Sequence, residues 1–171
     1  MYRFACFLFC ITLICSCSNK DDEYTFAGIT LFEEPTLPLC PTADVEAVKQ
    51  DCLYGFSSTV YTIISTSGRE LAPNIPVTSA SIAIKPDQGN SVYLINLDLS
   101  SSLPEEVFSY LKKKYGPPND VYSNTTSSIK AHWQLDNYNI SFDSKYLDLK
   151  TGEHYSMLMI YNMLGKPSNN K

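Results

Sequence analysis

Three side chains in the C-terminal part of the chain, His132, Ser141 and Asp143, have the residue types of a hydrolase triad. In such a triad the histidine takes the proton of the serine nucleophile, and the carboxylate orients the histidine. The segments on either side of Asp136-Asn137 alternate apolar and polar residues, so they predict a β-hairpin with a two-residue turn. That register places Ser141 opposite His132 and Asp143 diagonal to it.

The same register predicts a simpler role for these side chains. A nucleophilic serine needs N–H donors aimed at the developing oxyanion, whereas the N–H groups around a mid-strand serine are committed to the sheet. We therefore expect a solvated polar face with a Lys130–Asp143 ion pair and no catalytic residue. The predicted pairs are Leu135 with Tyr138, Trp133 with Ile140, Ala131 with Phe142, Gln134 with Asn139, His132 with Ser141 and Lys130 with Asp143.

The N-terminal residues could undergo a different chemistry, the attachment of a lipid. Arg3 precedes an apolar stretch, Phe4 to Ile14, that is shorter than the ~20 residues of a membrane-spanning helix and is typical of a secretory signal. Ile14-Cys15-Ser16-Cys17 resembles the lipobox of bacterial lipoproteins. This resemblance implies cleavage of residues 1–16, a diacylglycerol on the Cys17 thiol, and an outer-membrane lipid anchor on the periplasmic or surface-exposed face. A cleaved signal without a lipid is the alternative.

The segment after Cys17 reads Ser18-Asn19-Lys20-Asp21-Asp22-Glu23. It resembles the export signal of some Gram-negative surface lipoproteins, and a solvated, charged linker is the alternative interpretation. We expect residues 17–27 to form the lipidated cysteine and a flexible tether. Residues 28–165 are long enough for a single domain, and residues 166–171 are expected to be a disordered tail.

The net charge of the chain limits the kinds of partner that it is expected to bind. Without Arg3 the chain keeps 12 of its 13 basic residues against 18 acidic ones, an excess that argues against binding nucleic acid or anionic lipid. We predict no nucleic-acid partner. The one basic cluster is Lys112-Lys113-Lys114, at the end of a predicted helix, where cations complement the helix dipole. A structural role is therefore expected for it.

Beyond Cys17, the remaining cysteines are Cys40 and Cys52. Exported chains meet an oxidising compartment, and a bridge between these residues could stabilise the fold by ~3 kcal/mol. We predict this disulfide, with two free buried thiols as the alternative. The histidines, His132 and His154, lie far from both cysteines in sequence, so no metal site and no cofactor are predicted.

Two helices are predicted in this chain. The first begins at a Thr42 cap, presents Val45, Val48 and Cys52 on one apolar face, and ends at Tyr54-Gly55.

The second helix begins at a capping box formed by Ser102 and Glu105, and it ends at Gly116-Pro117-Pro118. Both helices end in Tyr-Gly and precede strands, which suggests a degenerate duplicated unit. Strands are predicted near residues 28–32, 58–64, 80–84, 92–99 and 155–162, in addition to the hairpin. The loop Thr66–Pro76 between two of them is a candidate binding element.

These elements predict an α+β fold, a mostly antiparallel sheet of about six or seven strands with two helices on one face. Over residues 40–162 their order resembles small outer-membrane assembly lipoproteins and the β-lactamase-inhibitor-protein fold, which bind other proteins. With 12 tyrosines, an aromatic contact surface for protein or glycan is expected. We predict a lipid-anchored, non-catalytic binding or assembly module. The alternatives are an envelope or glycan hydrolase using His132, Ser141 and Asp143, and a purely structural envelope lipoprotein.

Overall fold

A computed structural model describes most of the chain beyond residue 23. The predicted leader, the predicted lipidation site Cys17 and the residues from 163 onward, which include the predicted tail 166–171, lie outside the described residues. The described residues are 24–42, 44, 47–55, 57–65, 69–99, 104–125, 128–147, 152 and 154–162.

An antiparallel sheet of nine strands dominates the described residues, with a single α-helix and a separate two-stranded hairpin. The strands follow the order β3-β4-β6-β7-β11-β10-β9-β8, and β5 also pairs with β6. The elements are β1 (Thr25–Phe26), β2 (Ile29–Thr30), β3 (Cys52–Gly55), β4 (Val60–Ile64), β5 (Arg69–Ala72), β6 (Ile75–Lys85), β7 (Ser91–Leu99), α1 (Pro104–Tyr115), β8 (Asp120–Thr125), β9 (Ser128–Gln134), β10 (Asn139–Leu147) and β11 (His154–Tyr161).

One face of the sheet carries the core. On this face, residues that pair directly across neighbouring strands form an unbroken apolar row from strand to strand. The hairpin β1–β2 and helix α1 contribute to the same core through Ile29, Val107 and Leu111, which are fully buried. The row runs Trp133, Ile140, Ile160, Ile95, Ile82 and Tyr61.

Trp133 fixes the helix to the sheet. Its indole N–H donates to the carbonyl oxygen of Gly116 at 3.0 Å, and its ring lies 6.1 Å from that of Phe108 on α1. The helix ends where the sequence predicts, because Gly116 adopts a φ of 80° that suits glycine and donates its N–H to Lys112. Ser102 of the predicted capping box lies outside the described residues.

The predicted hairpin of β9 and β10 is confirmed pair by pair. Trp133 pairs with Ile140 and Ala131 with Phe142 on the core face, and the Leu135 N–H donates to Tyr138 across the turn. On the other face the pairs are Gln134 with Asn139, His132 with Ser141 and Lys130 with Asp143. This register is favoured because the two residues of every pair match in polarity.

The first predicted helix, and with it the expectation of two helices, is wrong: no described residue between Thr42 and Gly55 is α-helical, and α1 is the one α-helix among the described residues. Cys52 to Gly55 form strand β3, paired with β4. Near the predicted start, the Thr42 hydroxyl accepts the N–H of Asp44, which forms a local turn. The helical spacing of Cys52 with residues before it is misleading, because Cys52 lies in an extended strand in which it and its neighbour Leu53 are both buried.

The predicted count of six or seven strands is too low, and the predicted loop Thr66–Pro76 explains part of the shortfall. Arg69–Ala72 form β5, which folds back on the start of β6. Between them Asn74 has a φ of 68°, a left-handed conformation that asparagine tolerates in tight turns. Pro73 and Asn74 therefore mark a hairpin turn, whereas the sequence suggested an irregular loop.

Two further predictions need correction. The degenerate repeat is wrong, because Tyr54-Gly55 ends a strand whereas Tyr115-Gly116 ends a helix. The tether predicted over 17–27 extends too far into the domain. Tyr24 and Phe26 are buried and Thr25–Phe26 form a strand, so packing already begins at Tyr24.

Candidate binding site on the open face of the sheet

The reverse face of the sheet, called the open face here, is largely polar. Neighbouring residues of a strand point to opposite faces, and α1 and the β1–β2 hairpin both pack on the core face. Two rows of paired residues cross the open face. The first is Tyr54, Thr62, Ser81, Asn96, Met159, Ser141, His132 and Asp120, and the second is Ser79, Asp98, Met157, Asp143, Lys130 and Tyr122.

A cavity of about 270 Å³ lies where these two rows meet β8, β9, β10 and β11. Two exposed tyrosines flank it, Tyr122 with 60% and Tyr146 with 39% of its surface accessible. Such large exposed aromatic groups beside polar ones are typical of recognition surfaces. The side chains that line it are Tyr122, Lys130, His132, Ser141, Asp143, Tyr146, Met157 and Met159.

Tyr146 reaches the open face because of a β-bulge. The pairing of β10 with β11 shifts register between Asp143 and Tyr146, so that Tyr146 lies opposite Tyr155. Without the shift, strand alternation would place Tyr146 on the face opposite Asp143. The two rings lie 5.4 Å apart at an interplanar angle of 53°. An extra residue in the strand therefore adds an aromatic wall to the cavity.

The bulge is held by hydrogen bonds from buried serines. The Ser144 hydroxyl accepts the N–H of Ile129 at 2.7 Å, and the Ser156 hydroxyl donates to the Ser144 carbonyl at 3.4 Å. Both serines are buried. A buried backbone donor left without an acceptor would cost about 1–3 kcal/mol, so Ser144 secures the irregular backbone beside the cavity.

An ion pair forms part of the cavity floor. The Lys130 ammonium lies 2.7 Å from the Asp143 carboxylate, as the polar register predicts. The second carboxylate oxygen of Asp143 accepts the N–H of Lys145 at 3.0 Å. Both oxygens of Asp143 thus have fixed partners, which orient the carboxylate at the cavity.

The cavity brings the three triad residue types together without assembling a triad. His132 and Ser141 are directly paired across β9 and β10, yet within the described part of the chain no hydrogen bond joins His132 to Ser141 or to Asp143. Strand β10 pairs on both sides, with β9 and β11, so the N–H groups beside Ser141 are used by the sheet. An oxyanion would therefore lack the preorganised donors that acyl transfer needs.

Two other cavities lie on the described surface. One, of about 280 Å³, is lined by Tyr24, Tyr110, Lys114 and the β5 residues Arg69 to Leu71. Burial, followed by the neighbouring Tyr110 and Tyr138, raises the pKa of the Tyr24 phenol well above its ordinary value. Arg69 forms an ion pair with Asp51, so the segment predicted as a binding loop is partly committed to structural contacts.

The third cavity, of about 390 Å³, lies at the β3 end of the sheet, between Leu39, Tyr61 and Pro86. Here residues 38–40 run beside β3: Leu53 donates to Pro38, and the Cys40 N–H donates to Leu53. Cys40 and Cys52 are joined by a disulfide, with their Cα atoms 5.0 Å apart. The bridge closes this edge of the sheet, which accounts for the complete burial of Cys52.

Two kinds of feature are absent from the described ranges. These ranges contain no group of three His, Cys, Asp or Glu side chains that could hold a metal ion. Nor does the part of the chain with described coordinates include a helix long and apolar enough to cross a membrane.

Sequence reasoning placed His132, Ser141, Asp143 and Lys130 together, but it missed the aromatic walls of the cavity. Tyr122 lies on β8, which the sequence did not reveal as a strand, and Tyr146 depends on a bulge. The only sequence signal for the position of Tyr146 is the loss of apolar–polar alternation after Asp143.

Comparisons of the chain with protein-family models, curated proteins and solved structures find no match.

Proposed function

We propose that this chain is a lipid-anchored protein of the bacterial envelope that binds a glycan on its open face and does not modify it. Cys17 would hold it at the outer membrane. The observation that carries the binding proposal is the cavity between Tyr122 and Tyr146, with an oriented Lys130–Asp143 pair in its floor.

The chemistry of the cavity suits a hydroxyl-rich ligand. A tyrosine ring offers a flat apolar face for the C–H groups of a sugar while its hydroxyl stays available for hydrogen bonding. The ammonium of Lys130 donates, the carboxylate of Asp143 accepts, and Ser141 can do both. A volume of about 270 Å³ lies just below the usual range for small-ligand sites, which fits one or two sugar units of a longer chain.

The binding test uses the chain from Cys17 onward, which contains every described residue, with the Cys17 thiol capped by N-ethylmaleimide. An array of bacterial envelope and host polysaccharides is probed with this protein and with a Tyr122→Ala/Tyr146→Ala variant. The wild type should bind a subset of the polysaccharides, and the double variant should bind them at least about tenfold more weakly, a loss of ~1.4 kcal/mol.

Tyr93→Ala is the matched control, because Tyr93 lies on β7 outside the cavity and contacts Lys85. It should bind as tightly as the wild type. The glycan proposal fails if no polysaccharide binds, or if the double variant binds as well as this control. Capture of a protein through the same two tyrosines would replace the glycan with a protein partner.

Anchoring is tested separately in a bacterial host. The full chain should incorporate labelled palmitate and fractionate with the outer membrane, whereas a Cys17→Ser variant should do neither. Palmitate labelling that persists in the Cys17→Ser variant would contradict lipidation at this residue.

A hydrolase is the second candidate, because His132 directly faces Ser141 in the cavity. Any polysaccharide that binds is therefore incubated with the protein while new reducing ends are counted. Release that disappears in a Ser141→Ala variant would establish catalysis. We expect no release from either protein, since the geometry lacks an oriented histidine.

A further inference from the structure

The basic cluster of this acidic chain lies where the chain enters the domain. Lys112, Lys113 and Lys114 form the last turn of α1. The Lys114 ammonium is 5.5 Å from the ring centre of Tyr24, and Tyr24 is the first described residue, at which packing of the domain begins. The end of α1 therefore lies beside the start of the domain, and the exposed surface formed there by Lys112, Lys113 and Lys114 is here called the entry surface.

Among the described residues, no carboxylate neutralises the lysines of the entry surface. All three are exposed, and no ion pair joins them to any residue within the described ranges. Lys112 lies over Phe108 at 4.4 Å, and Lys114 lies near the rings of Tyr110 and Tyr115 as well as Tyr24. These contacts hold the ammonium groups of Lys112 and Lys114 beside aromatic rings, which do not neutralise their charge.

The length of the tether limits how far this surface can move from the membrane. If Cys17 carries the lipid, seven residues, Cys17 to Glu23, connect the bilayer to Tyr24. A fully extended chain spans at most about 3.6 Å per residue, so Tyr24 stays within roughly 25 Å of the lipid surface. At ~10 Å or less from that surface, about one Debye length at 0.1 M salt, an acidic domain is repelled by anionic lipid except at a basic region.

We propose that the entry surface binds the anionic phospholipid headgroups of the membrane that holds Cys17. This inference rests on the lipid anchor of the proposed function. It turns the open face away from the bilayer, because α1 lies on the core face of the sheet. The overall acidic charge, which argues against lipid binding by the domain as a whole, then helps to select this single orientation.

The test installs the anchor chemically, so that its outcome does not depend on lipidation in the cell. Cys17 is the only thiol outside the disulfide in the chain from Cys17 onward, and it is coupled to a maleimide-bearing lipid in vesicles. Lysine acetylation by an N-hydroxysuccinimide ester is then measured residue by residue by mass spectrometry. The vesicles are either phosphatidylcholine alone or phosphatidylcholine with 30% phosphatidylglycerol.

We expect Lys112, Lys113 and Lys114 to react about fivefold more slowly on the phosphatidylglycerol vesicles, the factor that corresponds to ~1 kcal/mol per lysine. Lys130, on the open face, should react equally on both. Equal rates for the entry-surface lysines on both vesicles would overturn the inference. So would equal protection on both vesicle types relative to the uncoupled protein, because proximity to the bilayer without anionic headgroups would then explain it.

A pair of double variants tests the proposed orientation further. Lys112→Glu/Lys113→Glu should remove the phosphatidylglycerol-dependent protection of Lys114, whereas Lys49→Glu/Lys145→Glu, with the same change in net charge, should retain it. Circular dichroism establishes that both variants fold, and the wild-type comparison stands without them. Protection of Lys114 that is equal in the two variants would contradict the proposed orientation.

Discussion

The two faces of the sheet are built from the same strands, yet they differ in composition and use. On β9, Trp133 is buried under α1, while its neighbour His132 lies in the open-face cavity. On β10, Phe142 belongs to the core, while Ser141 and Asp143 line the cavity. A strand thus supplies stability on one side and recognition chemistry on the other, so substitutions one residue apart should have opposite consequences.

The largest effect is expected from Trp133→Ala. The substitution removes a side chain that is only 1% exposed and the hydrogen bond that joins it to Gly116, so the free energy of unfolding should fall by about 3–5 kcal/mol. Urea denaturation measures this change. His132→Ala is the matched control and should stay within ~0.5 kcal/mol of the wild type. Similar losses for the two variants would contradict the assignment of the faces.

The next largest effect is expected at the edges of the sheet, which differ from each other as the two faces do. The disulfide closes the β3 edge, whereas β8 at the other edge exposes Val121 and Tyr122. Reducing the Cys40–Cys52 bridge should lower the free energy of unfolding by about 2–4 kcal/mol, chiefly because the unfolded chain regains freedom. Denaturation with and without a reductant measures the loss. Unchanged stability on full reduction would show that the bridge adds nothing to this edge.

A smaller effect is expected at the bulge. Ser144→Ala leaves the N–H of Ile129 without its acceptor, so stability should fall by about 1–3 kcal/mol. Binding at the cavity should weaken too, because the same bulge directs Tyr146. Ser141→Ala, three residues earlier on the open face, should leave stability nearly unaltered. A Ser144→Ala variant with wild-type stability and binding would show that the bulge does not need this hydroxyl.

The smallest effect is expected on the core side at alkaline pH. Burial raises the pKa of Tyr24, so between pH 10 and that raised value only the unfolded chain releases the proton. The free energy of unfolding therefore falls as the pH rises above about 10. At pH 11 the loss from this group is ~1.4 kcal/mol. Tyr24→Phe should show a correspondingly smaller decrease between pH 9 and pH 11. Parallel pH curves for the two proteins would contradict the effect of burial.

Much of the open face could be predicted because it depends on local pattern. Asp136-Asn137 and the alternation around it determine which residues of β9 and β10 oppose each other, and hence the Lys130–Asp143 pair. Gly116 and the prolines after it likewise define the end of α1. These features require only neighbouring residues, whose preferences the sequence displays directly.

The remaining features depend on partners distant in sequence. Cys52 has helical spacing with Val48, but pairing with Ile64 in β4 places it in a strand. Tyr146 becomes a cavity wall only through the shift in register against β11. Tyr122 lies in an edge strand whose pairing with Lys130 closes one side of the cavity. Tertiary pairing overrides local propensity in all three cases.

The most direct test of glycan binding at the open face observes both faces in one experiment. The protein is labelled with ¹³C on its tyrosine rings and titrated with a soluble fragment of the polysaccharide that binds best on the array, while ring resonances are followed by NMR. We predict saturable shifts at Tyr122 and Tyr146 and none at the core-face residues Tyr24 and Tyr138. Shifts at Tyr24 and Tyr138, with Tyr122 and Tyr146 unaltered, would contradict the assignment of recognition to the open face.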